Sequence, residues 1–486
     1  MSVDWQQLRD IAPELGVVLD LAIALAASAH VILHKSDTRA ATAWVGLIWL
    51  VPFVGAILYV FLGINRIQRR ARVLKSGDSH FGVPLDEAPR SPADLDRELG
   101  SDRARLIELA RVVGNVTQRP VLVGNRVDRL VDGDEAYPAM LEAIGNARES
   151  ISFMSYIFEA KGVGTAFVDA LAEARARGVE VRVLVDDVGV RYGRPRIHRV
   201  LKKRGVPVAK FLPALLPRSV THFNLRNHCK ILVVDGRIGF TGGMNIRQGS
   251  VLSSNPKHPT KDLHFRVTGP VVTQLQEVFV RDWAFTTGEK LRGSLWFPEL
   301  GSEGETLARG ITDGPDRDID KLHWVFLAAV GAARRSIRIM TPYFLPDIVL
   351  TKALHLAAQR GVEVDIIVPE VANLPVVRWA MWGNHRQVLH DGLRLWLSPP
   401  PFDHSKLFVV DSYWCSVGSA NWDPRSLRLN FEFNIECYDD ELGASLEGHV
   451  RHRLQDARLL TVEELESRST FQKTRDGTAR LLTPYL

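Results

Sequence analysis

The chain opens on two apolar runs. Gly16 to Leu33 is apolar apart from a few residues such as Asp20 and His30. After a short polar turn, 26 residues between Arg39 and Arg66 carry no charge, against about 20 needed for a helix to cross a bilayer. Trp44 and Tyr59 sit near the ends of this second run, where amphipathic aromatics favour the interface. Pro52 in its middle predicts a kink. Together the runs predict a transmembrane helical hairpin over 1–65, with helices at about 16–33 and 41–63. A cleaved leader ending at Ala27-Ser28-Ala29 is the competing reading. The acidic start (Asp4, Asp10 and Glu14 against Arg9) argues against it, because a leader begins basic.

The pattern then changes. Arg66, Arg69, Arg70, Arg72 and Lys75 form a basic flank. By the positive-inside rule it places the remainder of the chain in the cytoplasm, and it also suits anionic lipid head groups. Residues 66–118 read as this juxtamembrane segment, a Gly/Ser/Pro-rich linker and a lead-in helix. From about 120, strands and helices alternate. Strands are predicted at 151–158 and 179–187 around a helix at 164–177, and again at 336–344 and 362–368 around a helix at 347–360. ARESI at 147–151 returns as ARRSI at 333–337, and RGVEV at 177–181 returns at 360–364. Alternation of this kind predicts an α/β fold. The duplication predicts two similar halves, 119–300 and 301–486, about a pseudo-twofold.

Composition adds little to this picture. Hydrophobic residues make up 46% of 486, enough for two cores, and the net charge of +5 suits anionic partners such as phospholipid. Three cysteines (Cys229, Cys415 and Cys437) give no disulfide framework and read as reduced core thiols.

The chemistry lies in one repeated motif. RNHCKILVVDGRIGFTGGMN, Arg226 to Asn245, returns as HSKLFVVDSYWCSVGSAN, His404 to Asn421. His228, Lys230, Asp235, Gly242 and Asn245 each lie 176 residues before His404, Lys406, Asp411, Gly418 and Asn421. The His-x-Lys alternation puts both side chains on one face of a strand. Gly243 and Ser419, inside the Gly-Gly and Gly-Ser pairs, allow close backbone approach, and the asparagine amides can donate to an anion. Two histidines and two lysines facing each other describe a phosphodiester site. One neutral histidine attacks phosphorus, and the other gives a proton to the leaving alcohol and takes one from the incoming alcohol. The lysines and asparagines stabilise the non-bridging oxygens. No spacing in the sequence demands a metal or another cofactor.

These paired motifs resemble the phospholipase D superfamily. The whole chain, apolar start included, is similar to the bacterial cardiolipin synthases of that superfamily, through TRAATAWVGLIWLVPFVGAILYVFLG, both motifs, TPYFLPD, GSANWDPRSLRLNFE and the final RLLTPYL. The resemblance implies a duplicated phospholipase D fold, with His228 as nucleophile and His404 as general acid/base. Lys230, Lys406, Asn245 and Asn421 would hold the phosphate. Asp262 and Glu432 match the carboxylates that orient the histidines. Asp235 and Asp411 are counted with the catalytic set of the motif, although such residues more often anchor the loop than touch substrate, and Gly243 and Ser419 are counted with the asparagines as substrate-binding. The sequence departs from the family at Thr260-Lys261 before Asp262, where the family usually has Trp-Arg; near Lys161, where an aspartate is common and the nearest acid is Glu159; and at Asp403, where the family usually has an apolar residue. A carboxylate next to His404 would raise that histidine's pKa if the side chains met.

The resemblance further implies a membrane phosphatidyltransferase that turns two phosphatidylglycerol molecules into cardiolipin and glycerol. Its partners would be phosphatidylglycerol and anionic membrane lipid, not nucleic acid. A phosphodiester hydrolase with the same site residues is the alternative enzyme, and a non-catalytic lipid-binding membrane protein the alternative from another class. Residues 211–223 and 374–382, the latter with Trp379 and Trp382, are candidates for membrane contact. Packing on the core is the other reading of both.

Overall fold

The computed structural model describes residues 5–35, 37–63, 104–213, 225–316, 318–389 and 392–485. The basic flank at 66–75, the linker up to 103 and residues 214–223 of the candidate membrane stretch 211–223 lie outside the described residues. The chain divides into two compact units, Met1–Arg70 and Ala71–Leu486.

The first unit is a helical hairpin with a broken second arm. Its first helix, Trp5–His34, contains the segment Gly16–His34, which is long and apolar enough to cross a membrane. Asp37 caps the next helix, Thr38–Leu50, by accepting the Arg39 N–H at 2.9 Å. The expected continuous helix over 41–63 does not form. Helix stops at Leu50, restarts as Pro52–Leu58 and ends in a π turn, Tyr59–Gly63. Pro52 has no N–H to extend the first helix and suits the opening turn of the second. The chain doubles back there: a Cβ on Gly55 would fall 2.5 Å from the Leu47 carbonyl oxygen, so glycine is required. Trp49 Nε1 donates to Ser28 Oγ at 3.1 Å, and a 2.8 Å hydrogen bond joins His30 Nδ1 to the Tyr59 hydroxyl.

The second unit is built on one 16-stranded sheet running through both halves. Outward from the middle, the first half contributes Leu122–Val131, Leu263–Thr268, Ile238–Gly242, Ile231–Val234, Ser150–Ser155, Glu180–Asp186 and Val208–Phe211. The second half repeats this order with Thr306–Asp313, Asn430–Tyr438, Trp414–Gly418, Leu407–Val410, Ser336–Met340, Glu363–Pro369 and Arg394–Ser398, and adds Arg458–Leu459 at its edge. The halves join through the antiparallel pair Leu122–Val131 and Thr306–Asp313. The repeated RGVEV segments are helix stops: Gly178 and Gly361 adopt φ of +95° and +87°, and a buried strand follows each.

The lead-in helix Ala104–Thr117 sits against the second half, not the first. Leu106, Ile107, Ala110 and Val113 share a core with Leu322, Val325 and Phe326. Arg309, fully buried on the central strand, donates to the Ala110 and Arg119 carbonyls and pairs with Glu436. Trp379 and Trp382 pack on this core, with Arg475 and Arg468 lying over their rings at 4.8 and 4.1 Å. Packing therefore accounts for the tryptophans of the 374–382 stretch, while Leu374 and Val376 remain exposed. The three cysteines are buried thiols, with Cys415 and Cys437 opposite each other on neighbouring strands.

Candidate active site

Both motifs end up together because each histidine precedes an inner strand of its half. The strands Ile231–Val234 and Leu407–Val410 carry the apolar runs into the sheet. His228, Lys230, His404 and Lys406 stand at the ends of those strands. His228 is 9% exposed, Lys230 2% and Lys406 3%.

The orienting carboxylates are exchanged between halves. His228 Nδ1 lies 3.0 Å from both Glu432 oxygens. His404 Nδ1 lies 2.8 Å from Asp262 Oδ2. Ionised Glu432 can only accept, so His228 Nδ1 carries the proton and its Nε2 is left with a lone pair. Each lysine folds back on its own motif: Lys230 Nζ donates to the His228 carbonyl at 2.5 Å, and Lys406 Nζ to the His404 carbonyl at 2.6 Å.

The two dyads differ in their support. Glu432 accepts the Ser419 hydroxyl at 2.5 Å and the Asn430 amide at 3.1 Å. Burial works against this carboxylate, but His228, Lys230 and Ser419 outweigh it and lower its pKa. Asp262 has fewer donors. Its Oδ1 takes the Leu263 N–H at 2.8 Å, and burial drives its pKa well up. Gly243 gives Asp262 its space, since a Cβ there would come within 2.3 Å of Oδ1. Asp132 sits beneath, accepting the Asp262 N–H at 2.8 Å, and burial raises its pKa to about 6.

Burial and the crowd of cations set the remaining pKa values. Burial lowers His228 to about 4 against the pull of Glu432, so its imidazole is neutral. His404 is pressed well below its usual value by burial, then by Lys406, Lys230, His228 and Arg247. Desolvation brings Lys230 to about 7, with Lys406 lowering it further, and brings Lys406 to about 8 against the pull of Asp262 and Glu432. Two buried lysines whose ammonium forms are held down by burial gain from an anion between them.

Several expected residues take other places. Asp235 and Asp411 are anchors, not participants. Each adopts a positive φ (+52° and +54°) and caps a repeated Ala-Arg turn. Asp235 accepts the N–H groups of Arg148, Glu149 and Ser150, and Asp411 those of Arg334, Arg335 and Ser336. Arg105 also pairs with Asp411 at 2.9 Å. Ser419 is fully buried with its hydroxyl committed to Glu432, so it positions that carboxylate and does not face substrate. Asp403 leaves His404 alone: strand alternation turns it away, to the Ser405 N–H at 3.0 Å and toward Arg453 at 3.5 Å. His404 is accordingly lowered, not raised. Asn245 accepts the Ile157 N–H at 2.9 Å through Oδ1, and among the described residues no hydrogen bond engages its amide hydrogens, while Asn421 bonds Asp423. Glu159 pairs with Arg247 at 3.0 Å.

Sequence reasoning passed over Tyr156, Asp132 and Arg247. The Tyr156 ring lies 5.1 Å from that of His228 and 5.6 Å from Lys230 Nζ. Position 247 was visible in the repeat: 176 residues on stands Asp423, a charge reversal at matched places. Among the described residues, no three His, Cys, Asp or Glu side chains gather in a form that could hold a metal.

Comparison with known proteins gives consistent matches. A family described as cardiolipin synthase, PLD-like domain, matches residues 140–283 and 326–454. One described as phospholipase D-nuclease N-terminal matches 22–63. Cardiolipin synthase 1 of Staphylococcus epidermidis is 30% identical over 97% of this chain and 99% of its own length. The cardiolipin synthase of Staphylococcus aureus is 29% identical over 94% and 93%. Among solved structures, phosphatidylserine synthase of Haemophilus influenzae shares the fold at a TM-score of 0.60 and 16% identity, covering 78% of this chain and all of that one.

Proposed function

We infer the reaction from one premise: the chain belongs to the cardiolipin synthase family, with two phospholipase D-like halves. It is a phosphatidyltransferase that makes cardiolipin, with phosphatidylglycerol as donor and acceptor. The observation that carries the mechanism is the pair of exchanged dyads, His228–Glu432 and His404–Asp262, around two depressed lysines.

Phosphate binding comes first. The donor's phosphodiester anion enters between Lys230 and Lys406, and its charge raises both lysines and His404 back toward their protonated forms. The Asn245 amide adds donors to the non-bridging oxygens. His228 Nε2 then attacks phosphorus. The N–P bond forms, the P–O bond to glycerol breaks, and His404 Nε2 gives its proton to the departing oxygen. Ionised Glu432 stabilises the positive charge that grows on His228. In the second step His404 takes the proton of the acceptor hydroxyl, whose oxygen attacks phosphorus and frees His228. One phosphodiester replaces another, so atoms and charge balance without a co-reactant.

The N-terminal hairpin would hold the enzyme in the membrane as a multi-pass protein, with the basic flank at 66–75 keeping the catalytic unit on the cytoplasmic side. Protease access to that unit in inverted, but not right-side-out, membrane vesicles is the expected pattern.

The defining experiment is incubation of the detergent-purified protein with phosphatidylglycerol alone. Cardiolipin and glycerol are the expected products. Phosphatidate without cardiolipin would instead mean a hydrolase, and no turnover by folded protein would mean a lipid-binding role.

A further inference from the structure

The reaction has a requirement that the paired motifs do not meet. The acceptor is itself a phosphodiester, so a second anion must lie on the alcohol side of the site, one glycerol away from the phosphorus under attack. Lys230, Lys406 and Asn245 are grouped around the first phosphate. His404, which exchanges protons with the alcohols, marks the side where the second must sit.

Arg247 lies on that side: two residues on, a Cβ at Gly249 would fall 3.8 Å from Thr260 Oγ1, and Thr260 pairs with Phe402, two residues before His404. Arg247 follows Asn245 by two residues, and its loop is fixed by Tyr137, whose hydroxyl donates to the Asn245 carbonyl at 2.5 Å and accepts the Arg247 N–H at 3.1 Å. Its side chain is 39% exposed. Glu159 takes only the Nε–H, at 3.0 Å, and among the described residues no hydrogen bond engages either Nη. Its charge is also felt by His404. The matched position in the other half, Asp423, is a buried carboxylate that accepts the Ser426 N–H at 2.7 Å, near Glu432. The halves thus place a cation near the acid/base and an anion near Glu432, the carboxylate that holds the nucleophile. An otherwise twofold site acquires a direction.

We propose that the Nη pair of Arg247, pinned through Nε by Glu159, binds the phosphate of the acceptor lipid and selects an anionic alcohol over a neutral one. A guanidinium fork suits a phosphodiester, and Glu159 fixes its orientation before the lipid arrives. This rests on the phosphatidyl transfer described above.

The test is a competition within one reaction. Full-length protein in phosphatidylglycerol vesicles is given 1-butanol, and the ratio of cardiolipin to phosphatidylbutanol is measured. Arg247→Gln is expected to lower that ratio by about tenfold or more, the loss of a charge-assisted pair. Arg247→Lys should recover part of it. Glu159→Gln, which leaves the guanidinium charge in place, should keep the ratio closer to wild type. An unchanged ratio in Arg247→Gln, or an equal fall in both products, would overturn the proposal by showing that Arg247 only braces its loop or serves the donor. A wild-type protein that makes neither product would instead overturn the transfer reading itself.

Discussion

His228 donates its backbone N–H to the carbonyl of Phe431 at 2.9 Å, and Phe431 is the residue just before the carboxylate that holds the His228 ring. The other half does the same: the His404 N–H meets the Lys261 carbonyl at 2.7 Å, one residue before Asp262. Short parallel pairings, Arg226–Asn227 with Asn430–Phe431 and Thr260–Lys261 with Phe402–Asp403, set both registers. Each imidazole is thus placed by backbone and side chain of one foreign strand. A shift of one residue would turn the carboxylate to the opposite face.

The nucleophile is the first point to check. His228→Ala should abolish the phosphatidyl-enzyme trapped by acid quench and seen by intact-protein mass spectrometry, whereas His404→Ala should still allow some adduct with a good leaving group. An adduct surviving in His228→Ala would move the nucleophile to His404.

The carboxylates should matter unequally with their support. Glu432→Gln is expected to cut kcat on the order of 10³-fold, since the amide cannot fix the Nδ1–H tautomer as a charge does. Ser419→Ala removes a bond to a buried charge, worth roughly 1.5–3 kcal/mol, and should lower kcat by about tenfold or more. Because that bond helps to hold the Glu432 pKa down, its loss should also move the acidic limb of the pH–rate profile upward. An unmoved limb would reduce Ser419 to a packing residue.

The lysines predict the alkaline limb. In the empty site Lys230 titrates at about 7 and Lys406 at about 8. The charged forms bind the phosphate, so kcat/KM, which reports the free enzyme, should fall as pH rises through that range. Saturating lipid raises both pKa values, so kcat should hold to higher pH. A kcat/KM flat to pH 9 would contradict this.

Stability should hinge on Arg309. Its removal leaves Glu436 buried without its ion pair and takes a donor from the carbonyls of Ala110, in the lead-in helix, and Arg119, just after it. Arg309→Ala should cost about 3–5 kcal/mol, read as a lower chemical-denaturation midpoint in detergent. A shift under 1 kcal/mol would mean that water reaches the vacated site.

The duplicated α/β fold was legible because its landmarks are local. A glycine stop, an apolar run and a His-x-Lys alternation each act within a few residues, and their repetition supplied the symmetry. What the sequence hid was distance. The resemblance offered Asp262 and Glu432 as orienting carboxylates, but nothing near His228 assigns it Glu432, 204 residues on, in place of Asp262, and nothing in the lead-in helix marks it for the second core. Asp403 stood next to His404 in the chain yet turned the other way. The break at Val51 depended on Pro52 and Gly55 acting together, where the proline alone predicted only a bend. Arg247 lay in plain view, but its meaning required both the repeat alignment and the side of the site it occupies.

The exchange of carboxylates also sets a timing. A ribosome that has made His228 and Lys230 has yet to make Glu432, and the nascent first half carries a nucleophile with no proton partner behind it. Activity begins only after the last strands of the second half have docked on the first. For a protein whose substrate is membrane lipid, this ordering keeps unfinished copies from cutting the bilayer they meet.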